Sequence, residues 1–379
     1  MRALALSLLL LPLTAQAPEP ARTQTQAPLA DRLQAELSRR LGDAAPGAMA
    51  AVVLADGTLV PFSAGLADRE RKTPMPHDGM LLAGSTGKTF FAALACQLVR
   101  EKRLDLEAKV ATWFADDAWF PRLPNAADLT VRQLLMHRSG LMRYEFDPEF
   151  TKQLLANPDH RWTPQEELAF VLDKEPRFAA GDGFEYSDTN YVLLGLVLER
   201  ITGKPCQDEI ARRFLRPLGL EHTVAAHGRR IPGLLPSYAG AGNPFGGRDP
   251  MLEGGELPFD PAFEGAGGGY ATTASDLARW AKALYEGDVL QGVRELVVAG
   301  EPAPLGKDTR YGLGCIVDKT PLGPAFGHRG FFPGSLSEMR YYPELKVAVA
   351  VLVNSSADRR LPRQLPEWAN EFARLAAGR

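Results

Sequence analysis

The chain has 379 residues, 45% hydrophobic and 23% charged, and its 43 Lys plus Arg against 46 Asp plus Glu leave a formal charge of -3. That balance fits a globular chain with one or two domains and a large core, and it excludes extended disorder. With no basic field and no basic amphipathic segment, the composition points away from nucleic acid and membrane surfaces and toward a small-molecule or peptide partner.

The N-terminus reads Met1-Arg2 followed by ALALSLLLLPLTAQA, an apolar run too short to span a bilayer that ends on Ala15 and Ala17 in an A-x-A arrangement. This predicts a signal peptide over 1–17, a periplasmic or secreted mature protein, and no integral membrane segment once the signal is removed. The following PEPARTQTQAPLAD is polar and Pro-rich and reads as a flexible linker over 18–30, with the folded domain spanning 31–379. Residues 31–41 read as a helix, and two apolar runs around Asp56-Gly57 as a hairpin. From 85 to about 300 the pattern is mainly helical, with helices near 85–102, 130–136, 164–173 and 189–202. The Gly- and Pro-rich stretch 239–269 is long enough to predict a functional loop, and Ser275 the N-cap of a helix over ASDLARWAKALYEG. Strand signals return in YGLGCIVDK, PAFGHRGF, SLSEMRYYPE and KVAVAVLVN, before a helix from about Pro362. Strands at both ends with helices between predict an α/β fold of the α+β kind. Residues 31–84 and about 300–379 would form one antiparallel sheet flanked by helices, and about 85–300 an inserted helical region. Cys96, Cys206 and Cys315 have no paired spacing and the six histidines no ligand pattern, so neither a disulfide framework, a metal site nor a cofactor is expected.

The chemistry concentrates in LLAGSTGKTF. A phosphate loop would need Gly at the position held by Leu82, and it would follow a buried strand that RKTPMPHDG does not supply. Ala83-Gly84-Ser85-Thr86-Gly87 approaches a nucleophile elbow, yet it too lacks its strand and the alternating strand and helix pattern around it. The third reading sets Ser85 and Lys88 one helical turn apart on the same face, with Phe91, Ala95 and Leu98 continuing the buried stripe from Lys88. Burial would lower the pKa of Lys88 and let it take the Ser85 proton, while the helix N-terminus offers an amide to an oxyanion. The bland alternative makes Ser85 a simple cap and Lys88 a snorkelling side chain.

Two downstream segments supply partners. In FEYSDTNYVLLGL, Tyr186 precedes a buried helix and could carry a proton. In FGHRGFFPGS, His328 and Gly330 fall on an expected edge strand, where a small residue lets substrate approach and the amide of Phe331 could face a site. Together and in this order, Ser85-Thr86-Gly87-Lys88, Tyr186-Ser187-Asp188 and His328-Arg329-Gly330 resemble the S-x-x-K, Y-x-N and H-x-G motifs of the penicillin-recognising serine hydrolases. The branch is that of class C β-lactamases, D-alanyl-D-alanine carboxypeptidases, D-aminopeptidases and family VIII-like esterases. The supporting segments LTVRQLLMHRSGL, YVLLGLVLERITGKP, FLRPLGLEHT and GGGYATTASDLARWAKAL extend the resemblance from about 45 to 355. It implies a β-lactamase/transpeptidase-like fold in which Ser85 is the acylated nucleophile and Lys88 and Tyr186 carry protons. It further implies an oxyanion hole from the Ser85 and Phe331 amides, and Asp188, His328 and Gly330 at the substrate.

The sequence departs from that pattern at Asp188, where the family has Asn. An ionised Asp only accepts hydrogen bonds; facing the site, it would raise the pKa of Lys88 and repel a substrate carbonyl. The expected function is an ester, D-peptide or D-Ala-D-Ala hydrolase with at most weak β-lactam turnover. His328, neutral near pH 7, would hold a substrate carboxylate less firmly than Lys, and Arg329 should point to the opposite face of its strand. The alternative is a non-catalytic binding protein for peptides or cell-wall fragments on the same fold.

Overall fold

Residues Gly47–Val53, GAMAAVV, are buried at every position because both faces of the strand they form are covered. In this computed structural model the described residues are 27–378, apart from 242, 244, 246 and 247. The expected signal peptide and most of the expected linker lie outside them. The first helix, α1 (Leu29–Leu41), begins two residues before its expected start and takes in the end of the predicted linker.

The strands β1 (Gly47–Val53), β2 (Leu59–Asp68), β3 (Thr73–Pro74), β4 (Glu301–Pro302), β5 (Arg310–Tyr311), β6 (Ile316–Thr320), β7 (Gly323–Phe332), β8 (Ser335–Tyr342) and β9 (Val347–Val353) form one nine-stranded sheet. Its order is β3-β2-β1-β9-β8-β7-β6-β5-β4, with antiparallel pairing throughout. Strands from the two ends of the chain meet where β1 pairs with β9, Ala50 opposite Val351. Alternate side chains divide between two cores: Met49, Ala51 and Val53 point to one, Ala48, Ala50 and Val52 to the other. The second core is closed by α1 and the C-terminal helix Leu361–Ala376, whose Leu361, Leu365, Trp368 and Phe372 make an apolar stripe. The helices α2 (Lys88–Arg100), α3 (Asp188–Thr202) and α4 (Ala274–Tyr285) are built into the first core.

Three local expectations change. Helix α4 is capped by Thr273, not Ser275: Thr273 has the extended backbone of an N-cap and its side chain accepts from the Asp276 amide, while Ser275 lies inside the helix. Strand β7 is not an edge strand, since β6 pairs with it from Gly323 to Gly327. Beyond Gly327, however, β6 has left, and residues 328–332 pair only with β8. The stretch 239–269 is not all loop, because Pro261–Gly267 form a short helical segment.

Candidate active site

The turn carrying Ser85 is fastened from the sheet. Ser335 Oγ donates to the Leu82 carbonyl at 2.8 Å and Ser337 Oγ to the Ala83 carbonyl at 2.6 Å. Residues Gly84–Gly87 form a 3-10 turn that runs directly into α2. Both glycines are required by close packing. Gly84 has φ +53°, and a side chain there would lie 2.7 Å from the Phe331 nitrogen; one at Gly87 would strike the Gly268 carbonyl. The turn carrying Ser85 is therefore pressed against β7 on one side and the 261–269 segment on the other.

Lys88 is completely buried. Its ammonium donates to Ser85 Oγ at 3.0 Å and to the Gly267 carbonyl, lies 2.5 Å from Asp188 Oδ1, and faces the rings of Tyr186 and Tyr191 at 5.1 and 5.5 Å. Burial pushes its pKa down, but Asp188 and Tyr186 together outweigh burial and raise it above the ordinary lysine value. The expectation that burial would yield a neutral base is thus corrected, and the conditional effect foreseen for Asp188 is what the geometry provides.

Tyr186 rests on His137, with ring centroids 4.2 Å apart. His137 Nδ1 accepts from the Ser187 amide and the Asn190 side chain, both at 3.2 Å, which ties this ring to the start of α3. Burial and Asp188 raise the Tyr186 pKa while Lys88 and Ser85 oppose them; the hydroxyl is enclosed beside both groups without an aligned hydrogen bond. Asp188 opens α3, where a helix N-terminus favours a negative charge.

On β7, His328 is buried and both ring nitrogens are engaged, Nδ1 with the Arg329 carbonyl at 2.7 Å and Nε2 with the Tyr311 hydroxyl at 2.9 Å. A carbonyl only accepts, so Nδ1 carries the proton and Nε2 accepts from Tyr311. Burial, then the Lys88 charge, push the His328 pKa down to about 3, which leaves a neutral ring with no free donor for a substrate carboxylate. Arg329 does turn to the opposite face, where it pairs with Asp318 and lies 3.6 Å from Glu338. A side chain at Gly330 would collide with the Ala83 carbonyl and Ser337 Oγ. The turn Pro333-Gly334 closes on the pair Phe332 and Ser335, so the neighbouring pair Phe331 and Leu336 does not exchange ladder bonds. The Phe331 amide accordingly points to the side that β6 vacates, next to the Ser85 turn.

These groups open onto a cavity of about 250 Å³. Its wall includes four residues that sequence spacing did not single out: Arg143, Glu145, Phe146 and Glu264. Burial and the Asp188 charge push Glu145 up to about 7 and Glu264 up to about 8. Phe245, Phe263 and Glu264 place the predicted loop 239–269 at the cavity, and Gly267 brings it to Lys88. Among the described residues no group of three or more His, Cys, Asp or Glu side chains is arranged to hold a metal ion, and no helix is long and apolar enough to cross a membrane.

A serine bonded to a buried lysine, with a tyrosine beside them and a half-open strand facing them, on an antiparallel sheet flanked by helices, defines the class of serine β-lactamases and penicillin-binding proteins. The profile of the Beta-lactamase family matches residues 33–371, and the chain belongs to that family. It is similar to penicillin-binding protein 4* of Bacillus subtilis (strain 168), 28% identical over 81% of this chain and 68% of the relative. It is also similar to esterase EstB of Burkholderia gladioli, 29% identical over 68% of this chain and 70% of the relative. Among solved structures, the D-amino acid amidase of Ochrobactrum anthropi SV3 complexed with L-phenylalanine amide superposes with a TM-score of 0.77 at 27% identity, covering 91% of this chain and 98% of that one. The chain is a β-lactamase-related serine hydrolase of the group that holds esterases, D-amino acid amidases and penicillin-binding-protein-like enzymes.

Proposed function

We propose that the protein is an exported hydrolase that cleaves an ester or amide bond through an acyl-enzyme on Ser85, of the esterase or D-peptidase type. The observation that carries this reading is the 3.0 Å hydrogen bond between Ser85 Oγ and the fully buried Lys88, set beside the open half of β7. Ser85 Oγ attacks the carbonyl carbon, and the amides of Ser85 and Phe331 hold the resulting oxyanion. Its proton passes through Lys88 and Tyr186 to the leaving group, and the same pair then takes a proton from the water that releases the acyl group.

Because Asp188 keeps Lys88 in the ammonium form, Lys88 accepts the Ser85 proton only as it passes on one of its own. That requirement favours carbonyls with good leaving groups and slows acylation by stable amides. His328 acts as a fixed neutral wall that shapes the strand edge. Gly330 keeps that edge close to Ser85. Among the described residues that line the cavity, the cations Arg143 and Arg329 are each paired with a carboxylate, so neither is free for the carboxylate of a β-lactam. Export is supported by the leader-like first 17 residues.

Turnover of a p-nitrophenyl ester and of nitrocefin, measured side by side in wild type and Ser85→Ala, tests the reading. Ester hydrolysis that exceeds nitrocefin hydrolysis and disappears in the variant is expected. Faster nitrocefin turnover, or ester turnover that survives in Ser85→Ala, would contradict it.

A further inference from the structure

A second cavity shares a wall with the first. It has a volume of about 320 Å³, against about 250 Å³ for the catalytic one, and Phe91 of α2, Val192 and Leu196 of α3, and Ala266 give it apolar surface. Three polar groups on its wall are already bonded. Thr163 caps the helix Pro164–Ala169 and exchanges bonds with Glu166, Glu199 Oε1 accepts from the Cys206 amide at 3.0 Å, and Cys206 Sγ donates to the Gly195 carbonyl. Two buried groups are not. Trp162, 8% exposed, has an Nε1 with no partner. Glu167 is 2% exposed, and the influences on its carboxyl are burial and the charges of Asp188, Glu166 and Glu145, with no bonded group among them. Buried polar groups in folded proteins are almost always paired, so an indole N–H and a carboxyl left open on one cavity wall suit a ligand that supplies the missing halves.

One segment borders both cavities. Phe263 and Glu264 line the catalytic one, Ala262, Gly265 and Ala266 line the second, and the Gly267 carbonyl accepts from Lys88. We propose that the second cavity binds a small aromatic carboxamide, held by Glu167 and Trp162, and that its occupant acts on catalysis through the segment 261–267. The binding half of this inference goes beyond the hydrolase reading and does not depend on it. In its acid form, which burial and the neighbouring carboxylates favour, Glu167 donates one hydrogen bond and accepts another. A primary carboxamide answers with an N–H and a carbonyl oxygen, and the second lone pair of that oxygen is left for Trp162 Nε1. An ammonium offers the indole no acceptor; a carboxylate offers Glu167 no donor and meets the charge of Glu199 on the same wall. An aromatic ring then covers Phe91, Val192 and Leu196.

The test titrates benzamide, benzoate and benzylamine by calorimetry into the Ser85→Ala protein, which lacks the serine hydroxyl, and repeats the benzamide titration with Trp162→Phe, Glu167→Met or Ala262→Phe added. Benzamide is expected to bind with a dissociation constant on the order of 1 mM, and the other two about fivefold more weakly or worse. Trp162→Phe and Glu167→Met should each weaken benzamide about fivefold or more. Ala262→Phe, which fills the cavity from a half-buried position, should abolish binding. In wild type, benzamide should change kcat for a p-nitrophenyl ester by about twofold or more, and this effect should vanish in Ala262→Phe; a ligand competing at Ser85 changes KM alone. No benzamide binding, binding that survives Ala262→Phe, or tighter binding of benzylamine would overturn the site. An unchanged kcat would overturn its action on catalysis. If wild type hydrolyses no ester, the hydrolase reading fails while the titrations still decide the site.

Discussion

Enclosing an ammonium costs several kcal/mol after relaxation, and at Lys88 this is offset by the Asp188 carboxylate at 2.5 Å, the Gly267 carbonyl and two tyrosine rings. Removing only the negative charge shifts that balance. Asp188→Asn takes away the main influence favouring the charged form and leaves burial, so the Lys88 pKa falls and more of the enzyme carries a free base at neutral pH. The ascending limb of the kcat/KM profile for a p-nitrophenyl ester should move to lower pH by about one unit or more, with nitrocefin turnover rising. An unmoved limb would show that Lys88 does not gate acylation. At this scale, spacing and motif order brought Ser85, Lys88 and Tyr186 to notice, and the structure brings all three together. Glu145 and Glu264 stood out of reach because they carry no fixed spacing to Ser85; only the fold brings helices and loop around one cavity.

The element that limits tolerance is β7. Its first half is locked between β6 and β8, while its second half faces Ser85 with β8 alone behind it. Gly330→Ala adds a methyl group against the Ala83 carbonyl, so the strand or the nucleophile turn must move. The expected result is a loss of about 1–3 kcal/mol in stability with ester turnover reduced on the order of a hundredfold, read by thermal unfolding and steady-state kinetics. Wild-type kinetics in that variant would refute the close approach. The long elements were legible because their patterns are strong: the run YVLLGLVLERI ends at Gly203 in a left-handed cap, φ +70°. The two- and three-residue strands 81–82, 224–225 and 270–272, which join into a second small sheet beside the nucleophile turn, have no pattern long enough to detect. Thr273 and Ser275 are both capping residues, and the choice between them follows from where strand 270–272 ends, a tertiary fact.

Across the whole molecule, the nucleophile turn is held between a sheet made from both chain ends and the helical region inserted between them, so the site depends on the fold closing. Glu145 and Glu264 link that closure to pH. Their folded-state pKa values, about 7 and about 8, lie above the ordinary carboxyl value of 4.5, so the folded protein binds more protons than the unfolded chain through that window. Stability is therefore lost as pH rises from the ordinary carboxyl value through the folded-state values, and the melting temperature of the empty enzyme should fall between about pH 4.5 and about pH 8. Glu264→Gln should flatten that decline; an equally steep decline would place its cause elsewhere. The sheet built from both ends was readable because β1 and β9 are runs of apolar and β-branched residues, whereas the pairing of β1 with β9 depends on contacts some 300 residues apart. Hydrolysis by this site requires that Ser85 become acylated. Rapid quenching of the enzyme with a p-nitrophenyl ester, followed by peptide mass analysis, should place one acyl group on Ser85 and none in Ser85→Ala. An acyl group on another residue, or turnover with Ser85 unmodified throughout, would contradict it.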